Sequence, residues 1–291
     1  MSNLKVALVL GGGFAKGAYQ FGFIKSLLNY LPKENVSYVS ASSIGVLNGY
    51  ALAADKMDDG ERLWRTKDFG NIASFFKMSW KQDILTQIVD MLSSKTDTLN
   101  IPLTLTMCQV PRFQELYLEL SGPYKKYWRP AMRASISFPV VSKKPTKFFK
   151  KYYIDGGLLD NIPIAPMLNT DADMLVILHS DAHYLPVEKT YYRNKIILDV
   201  DVTAKSEGLL KTFDIRTESL NKMVDEGLIR GDELGSMIFK DSLDDQTKLR
   251  MNCAEYMKND YKHRKTKQSL DTLGTLINEL YCSLFIDDIE S

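Results

Sequence analysis

The chain has 291 residues, of which 45% are apolar and 25% charged, and its formal net charge is +1. This is the composition of an ordinary globular protein of one large domain or two small ones, and a charge so near zero gives no support to nucleic-acid binding. No apolar run reaches the ~20 residues that cross a bilayer. The first strand begins too near Met1 to leave room for a secretory signal. The three cysteines, Cys108, Cys253 and Cys282, are too scattered for a disulfide framework or a zinc site. A cytoplasmic protein with reduced thiols is expected.

Leu4 to Leu10 is almost wholly apolar and predicts a buried strand. Gly11-Gly12-Gly13 breaks it, and apolar residues at helical spacing predict a helix over Gly17 to Leu31, closed by Pro32. Val36 to Val39 predicts a second strand and Val46 to Ala54 a second helix, a βαβα opening that implies a parallel sheet covered by helices. Asp58 to Asn100 is richer in charge and aromatics. It reads as an inserted, cap-like subregion with a helix through Ile84, Ile88, Val89 and Leu92. Leu103 to Val110 and Phe113 to Leu120 predict paired strands turning at Pro111-Arg112, and Tyr124 to Ser137 predicts a helix. Phe148 to Ile154 predicts one strand running into Asp155-Gly156-Gly157, and Met174 to His179 and Lys195 to Val202 predict two short buried strands. Leu209 to Leu243 and Gln246 to Phe285 read as mainly helical. The simplest parse is a domain over 1–205, with its insertion at about 58–100, and a helical region over 206–291 packed on it.

Ser40-Ala41-Ser42-Ser43-Ile44-Gly45 lies between a strand and a helix. A sharp turn there lifts the Ser43 hydroxyl to the mouth of the sheet, as a nucleophile elbow does, and Gly45 lets the turn pack closely on the next helix. The usual glycine two places before the serine is Ala41 here, and a plain polar turn is the competing reading. Gly11, Gly12 and Gly13 can turn backbone N–H groups inward as an anion nest, with Lys16 adding positive potential and Gly17 opening the helix. A dinucleotide fingerprint needs glycine where Lys16 stands, and a P-loop needs Lys then Ser or Thr after Gly17, where Ala18 and Tyr19 follow. An oxyanion hole fits better than either, with a flexible turn as the alternative.

A serine nucleophile needs a base. His179, His183 and His263 sit in no supporting pattern, and His183 is the one candidate if a triad exists. Asp155 is the stronger candidate, because it ends a strand, strand ends of a parallel sheet meet at one edge where sites form, and the flanking Gly156-Gly157 admits another backbone. A hairpin turn explains Asp-Gly-Gly equally well.

Taken in order, Gly11 to Ala18, Ser43-Ile44-Gly45, Arg133-Ala134-Ser135-Ile136-Ser137-Phe138-Pro139, and Asp155-Gly156-Gly157 with Asn161 and Pro163 resemble the four motif blocks of the patatin-like phospholipase family. Ala41 and Lys16 are the departures, and neither removes a reacting atom. The resemblance implies a three-layer α/β/α fold with a mainly parallel sheet. It also implies a dyad of Ser43 as nucleophile and Asp155 as base, acting on acyl esters of lipids through an acyl-serine. Transacylation by the same dyad, or a non-catalytic lipid- or partner-binding module, are the alternatives. No calcium-loop pattern is present, so activity without metal or cofactor is expected. Transient contact with a membrane surface is expected too, through Phe75-Phe76-Lys77-Met78-Ser79-Trp80-Lys81 and the lysines from Lys143 to Lys151. Core packing of those aromatics and a solvated basic loop are the plainer readings. The oligomeric state is not readable from the sequence.

Overall fold

A computed structural model describes residues 4–66, 84–94, 97–139, 142, 144–181, 184, 194–202, 214–262 and 264. Its centre is an eight-stranded mixed sheet. Strands β1 (Val6–Leu10), β2 (Val36–Ala41) and β3 (Leu103–Val110) run parallel, as do β7 (Met174–His179) and β8 (Ile196–Asp201) on the other flank of β1. Three further strands, β4 (Gln114–Glu119), β5 (Thr146–Phe148) and β6 (Lys151–Asp155), are added by antiparallel pairing.

Alternation along β1 divides the core. Val6, Leu8 and Leu10 face the larger cluster, which takes in α1 (Gly17–Leu27), α2 (Gly45–Ala53), α3 (Met57–Thr66), α4 (Ile84–Leu92) and α5 (Trp128–Ser135). Ala7 and Val9 face a smaller cluster closed by Ile162, Ile164 and Met167. Both faces of β1 are therefore dry, which is why its sequence is a continuous apolar run.

Among the described residues, two further helices follow the sheet, α6 (Thr217–Phe239) and α7 (residues 246–262). Gly227, Gly231 and Gly235 recur every four residues on α6. A Cβ at Gly227 or Gly231 would strike the backbone of Tyr19 or Phe23 on α1, and one at Gly22 would strike Val224 in return. The two helices meet nearly backbone to backbone along this stripe. Beyond α7, Arg264 bonds Asp260 and the buried Asp199 of β8 (2.6 Å each).

Several elements differ from the sequence expectation. α1 stops at Leu27, four residues early. The stretch expected as one strand from Phe148 is a hairpin, broken by a left-handed turn at Phe149 (φ 44°) and Lys150 (φ 63°). The Tyr124–Ser137 helix is a 3₁₀ segment to Tyr127 followed by α5. The aromatic and lysine segment Phe75–Lys81, Lys143, and the helix expected beyond residue 264 lie outside the described residues.

Candidate active site

Sheet registers bring Ser43 and Asp155 together. β3 has three partners on two edges. β4 pairs along Thr104–Gln109, so β2 (at Leu103–Leu105) and β6 (at Met107–Val110) share the opposite edge. β2 is parallel to β3 and β6 antiparallel, so their carboxyl ends run toward each other along that edge. Ala41 ends β2 level with Leu105, and Asp155 ends β6 level with Met107. The residue just past one end faces the last residue of the other. Asp155 therefore reaches the site from an antiparallel strand, which corrects the expectation that it ends a parallel one.

Ser43 occupies the turn between β2 and α2 with φ 51°. This left-handed backbone is uncommon for a residue with a side chain and marks a turn held by its surroundings. The Ser42 N–H donates to the Leu10 carbonyl (3.0 Å), and the Ser42 hydroxyl donates to the Asp160 carbonyl (2.8 Å). A Cβ at Gly45 would lie 2.5 Å from the Leu10 oxygen and 2.8 Å from the Gly11 oxygen, so only glycine lets α2 start this close to β1.

The Ser43 hydroxyl donates to Asp155 Oδ2 at 2.6 Å, and Asp155 Oδ1 accepts the Gly157 N–H at 2.8 Å. Asp155 is 1% exposed. Burial disfavours its charged form and pushes its pKa up to about 6, against the opposing pull of the two hydrogen bonds. Its own N–H donates to the Ser137 carbonyl (3.0 Å). Two neighbouring serines hold the same corner: Ser135 donates to the Thr106 carbonyl (2.6 Å), and the hydroxyls of Ser137 and Thr146 share a bond (2.7 Å). Gly156 abuts the Thr106 backbone, and Gly157 lies against Ser43 and Asn161.

The glycine loop reaches the same point from β1. A Cβ on Gly12 would sit 2.7 Å from the Ser43 Cβ and would also strike the Asn161 side chain. The expected cradle of Gly11, Gly12 and Gly13 narrows here. The Gly11 N–H is committed to the Leu178 carbonyl (2.8 Å), and the Gly12 N–H donates to the Asn161 carbonyl (3.1 Å). Among the described residues, the N–H groups of Gly13 and Ile44 have no acceptor in range. The Gly12 carbonyl accepts from Ser180 Oγ (3.2 Å) and Asn161 Nδ2 (3.4 Å), and the Lys16 ammonium donates to the Ser180 carbonyl (3.3 Å). Gly17 opens α1 against Trp64. The clamping roles of Asn161, Ser180 and Ser137 are not legible in the sequence, because the first two act through the backbone of Gly12 and the third through that of Asp155, each distant in the chain.

An apolar pocket opens at Ser43 and Asp155. Ile44, Leu63, Trp64, Leu85, Ile88 and Phe138 line much of it, and Phe14 packs edge-on against Phe138 at 5.6 Å between ring centres. His179 has no part in this site. It is fully buried, its Nδ1 accepts the Asp181 N–H (3.2 Å), and its Nε2–H is thereby left to donate to Asp199 (3.1 Å). His183 and His263 lie outside the described residues.

Comparison with known proteins gives three results. A family model described as patatin-like phospholipase matches residues 8–168. Uncharacterized NTE family proteins of Mycobacterium bovis and Mycobacterium tuberculosis are 26% identical over 179 residues, which is 60% of this chain and 49% of theirs. The chain thus spans about half the length of the curated relatives it matches. VipD from Legionella pneumophila aligns over 95% of this chain and 80% of its own, at 12% identity and a TM-score of 0.43.

Proposed function

The chain belongs to the patatin-like phospholipase family of lipid acyl hydrolases, and on that premise we propose that it is a serine hydrolase of phospholipase A or lysophospholipase type, with Ser43 as nucleophile and Asp155 as its base. The observation that carries this reading is the 2.6 Å bond from the Ser43 hydroxyl to a carboxylate that is 1% exposed.

In the proposed mechanism, Ser43 Oγ attacks the ester carbonyl carbon while its proton passes to Asp155 Oδ2. A carboxylate is usually too weak a base for this at pH 7. Burial narrows the gap by raising its affinity for the proton to a pKa of about 6. The tetrahedral oxyanion forms beside the glycine loop, where the Gly13 and Ile44 N–H groups are its donors. Asp155 returns the proton to the departing alcohol as the C–O bond breaks, leaving an acyl-serine. Water then attacks the acyl carbon, gives its proton to Asp155, and the acid leaves as Ser43 regains its hydrogen. The acyl chain lies in the apolar pocket. We assign this chemistry to the 1–205 unit, with α6 and α7 as supports.

Turnover of p-nitrophenyl acyl esters tests the assignment. Ser43→Ala and Asp155→Asn are each expected to lower kcat by about 10³-fold or more. Undiminished turnover in both variants would remove the dyad.

A further inference from the structure

Two hairpin tips project from one end of the sheet, and each carries a phenylalanine where a turn favours a small residue. Val110 of β3 is level with Tyr152 of β6, so the β3–β4 turn at Pro111–Phe113 and the β5–β6 turn at Phe149–Lys150 stand side by side. Both point the way β2 points as it delivers Ser43. Counted along β3 from Leu105 to Val110, they lie about 17 Å beyond the end of β2. Phe113 (φ 49°), Phe149 (φ 44°) and Lys150 (φ 63°) are all left-handed, where glycine and asparagine are favoured and a bulky side chain is an outlier. Neither ring is repaid by full burial: Phe113 is 63% exposed and Phe149 49%. The inner side of the Phe149 ring packs on Phe148, Tyr127 and the exposed Tyr124, and Tyr152 on β6 is exposed as well.

The surroundings are cationic. Residues 122–154 contain nine lysines and arginines and no aspartate or glutamate, in a chain whose net charge is only +1. Lys144, Lys147, Lys150 and Lys151 are exposed, as is Arg112 beside Phe113. Lys144 and Lys147 also line a cavity with Arg129 and Arg133 against α4, whose Leu85 and Ile88 line the apolar pocket at Ser43. The acidic groups nearby are Asp90, which pairs with Arg129 (3.1 Å), and the exposed Glu115 of β4.

We infer that the two hairpin tips form a docking face for an anionic lipid surface. Phe113 and Phe149 enter the boundary between headgroups and acyl chains, and Arg112, Lys147, Lys150 and Lys151 meet the phosphates. Exposed aromatics among lysines suit that boundary, and basic side chains near an anionic leaflet are drawn to it. Backbone strain without burial is explained if the rings serve a surface outside the protein. The consequence for catalysis, that docking turns the Ser43 end of the sheet toward its substrate, rests on the hydrolase reading; the docking itself does not.

The experiment is co-sedimentation of the full chain with phosphatidylcholine vesicles, with and without phosphatidylglycerol, alongside hydrolysis of soluble p-nitrophenyl butyrate. Binding is expected only with phosphatidylglycerol and is expected to fall with added salt. The Lys147→Gln/Lys150→Gln/Lys151→Gln triple variant should weaken it by about tenfold or more. Phe113→Asn/Phe149→Asn should weaken it comparably while the chain stays folded by circular dichroism, since asparagine suits both left-handed positions and offsets the lost ring contacts of Phe149. Butyrate turnover should not change in any of these variants. Equal binding to both vesicle types, or unchanged binding in both variants, overturns the docking face. So does a concentration-dependent dimer that the phenylalanine variant abolishes while vesicle binding persists. Vesicle binding by a chain that hydrolyses nothing leaves the docking face standing and removes the hydrolase reading.

Discussion

Asp155 divides its carboxylate between two partners: Oδ2 accepts the Ser43 hydroxyl at 2.6 Å and Oδ1 accepts the Gly157 N–H at 2.8 Å. The backbone bond fixes the rotamer, and burial does the rest by keeping water and countercharge away. The result is a buried carboxylate with one oxygen held for the Ser43 hydroxyl.

That environment has an opposite signature in activity and in stability. Burial raises the folded-state pKa to about 6 from an ordinary 3.8. The ionised base needed for attack therefore accumulates as pH rises, and kcat/KM for a soluble ester should climb between pH 5 and 7 with an apparent pKa near 6. Between those two pKa values the folded state binds more protons at Asp155 than the unfolded state does, so the contribution of Asp155 to stability falls as pH rises from about 4 to about 6 and is flat above. Asp155→Asn lacks this slope. At pH 8 it should be inactive yet more stable than the parent, by up to about 3 kcal/mol. Urea denaturation at pH 4 and pH 8 measures both arms; a variant less stable than the parent at pH 8 contradicts the account.

Ser43 pays a conformational cost for its position, with φ 51°. A left-handed backbone costs a residue bearing Cβ about 1–2 kcal/mol. Ser43→Ala keeps that cost and Ser43→Gly relieves it. Both should be inactive, and the glycine variant should unfold at a denaturant concentration corresponding to about 1 kcal/mol greater stability than the alanine variant. Equal stabilities would show that the turn is not strained.

Gly12→Ala tests how closely the loop must approach. Its methyl would stand 2.7 Å from the Ser43 Cβ and collide with Asn161, whose carbonyl accepts the Gly12 N–H. The clash displaces the loop relative to the nucleophile, so kcat should fall by about 10²-fold or more while the chain still folds. Circular dichroism and ester turnover together decide this. Near-parental turnover would mean that the loop does not need its present distance from Ser43.

Side chains on α3 and α4 line one part of the apolar pocket. Ile88 lines the cavity from α4 and is 6% exposed. Ile88→Phe should lower turnover of long-chain p-nitrophenyl esters by about tenfold or more relative to the acetate, at a stability cost of about 1–3 kcal/mol. A uniform loss across chain lengths would place the acyl chain elsewhere.

The parts of this architecture that depend on local pattern were readable in the sequence. β1 and β2 announce themselves as apolar runs, and Gly11-Gly12-Gly13, Ser43-Ile44-Gly45 and Asp155-Gly156-Gly157 mark the three places where backbone must turn or be approached. What the sequence hides is pairing. Nothing in Lys151–Asp155 says that it runs antiparallel to β3 and meets β2 head-on. Nothing in the Gly11–Gly12 pair says that Leu178 and Asn161 take up their N–H groups. The Phe149-Lys150 turn is hidden because neither residue is of the types that usually signal a left-handed bend. The glycine stripe on α6 went unread because a four-residue repeat acquires meaning only when α1 lies against it.

In the proposed mechanism Asp155 alone activates Ser43. Intact-mass spectrometry after reaction with a fluorophosphonate measures this directly, because the reagent is attacked by the same oxygen that would attack an ester. The account predicts one adduct per chain, located on Ser43 by peptide mapping, forming faster as pH rises through about 6 and slowed by about 10³-fold or more in Asp155→Asn. Labelling at another residue, or labelling of Ser43 at the parental rate in Asp155→Asn, would contradict it.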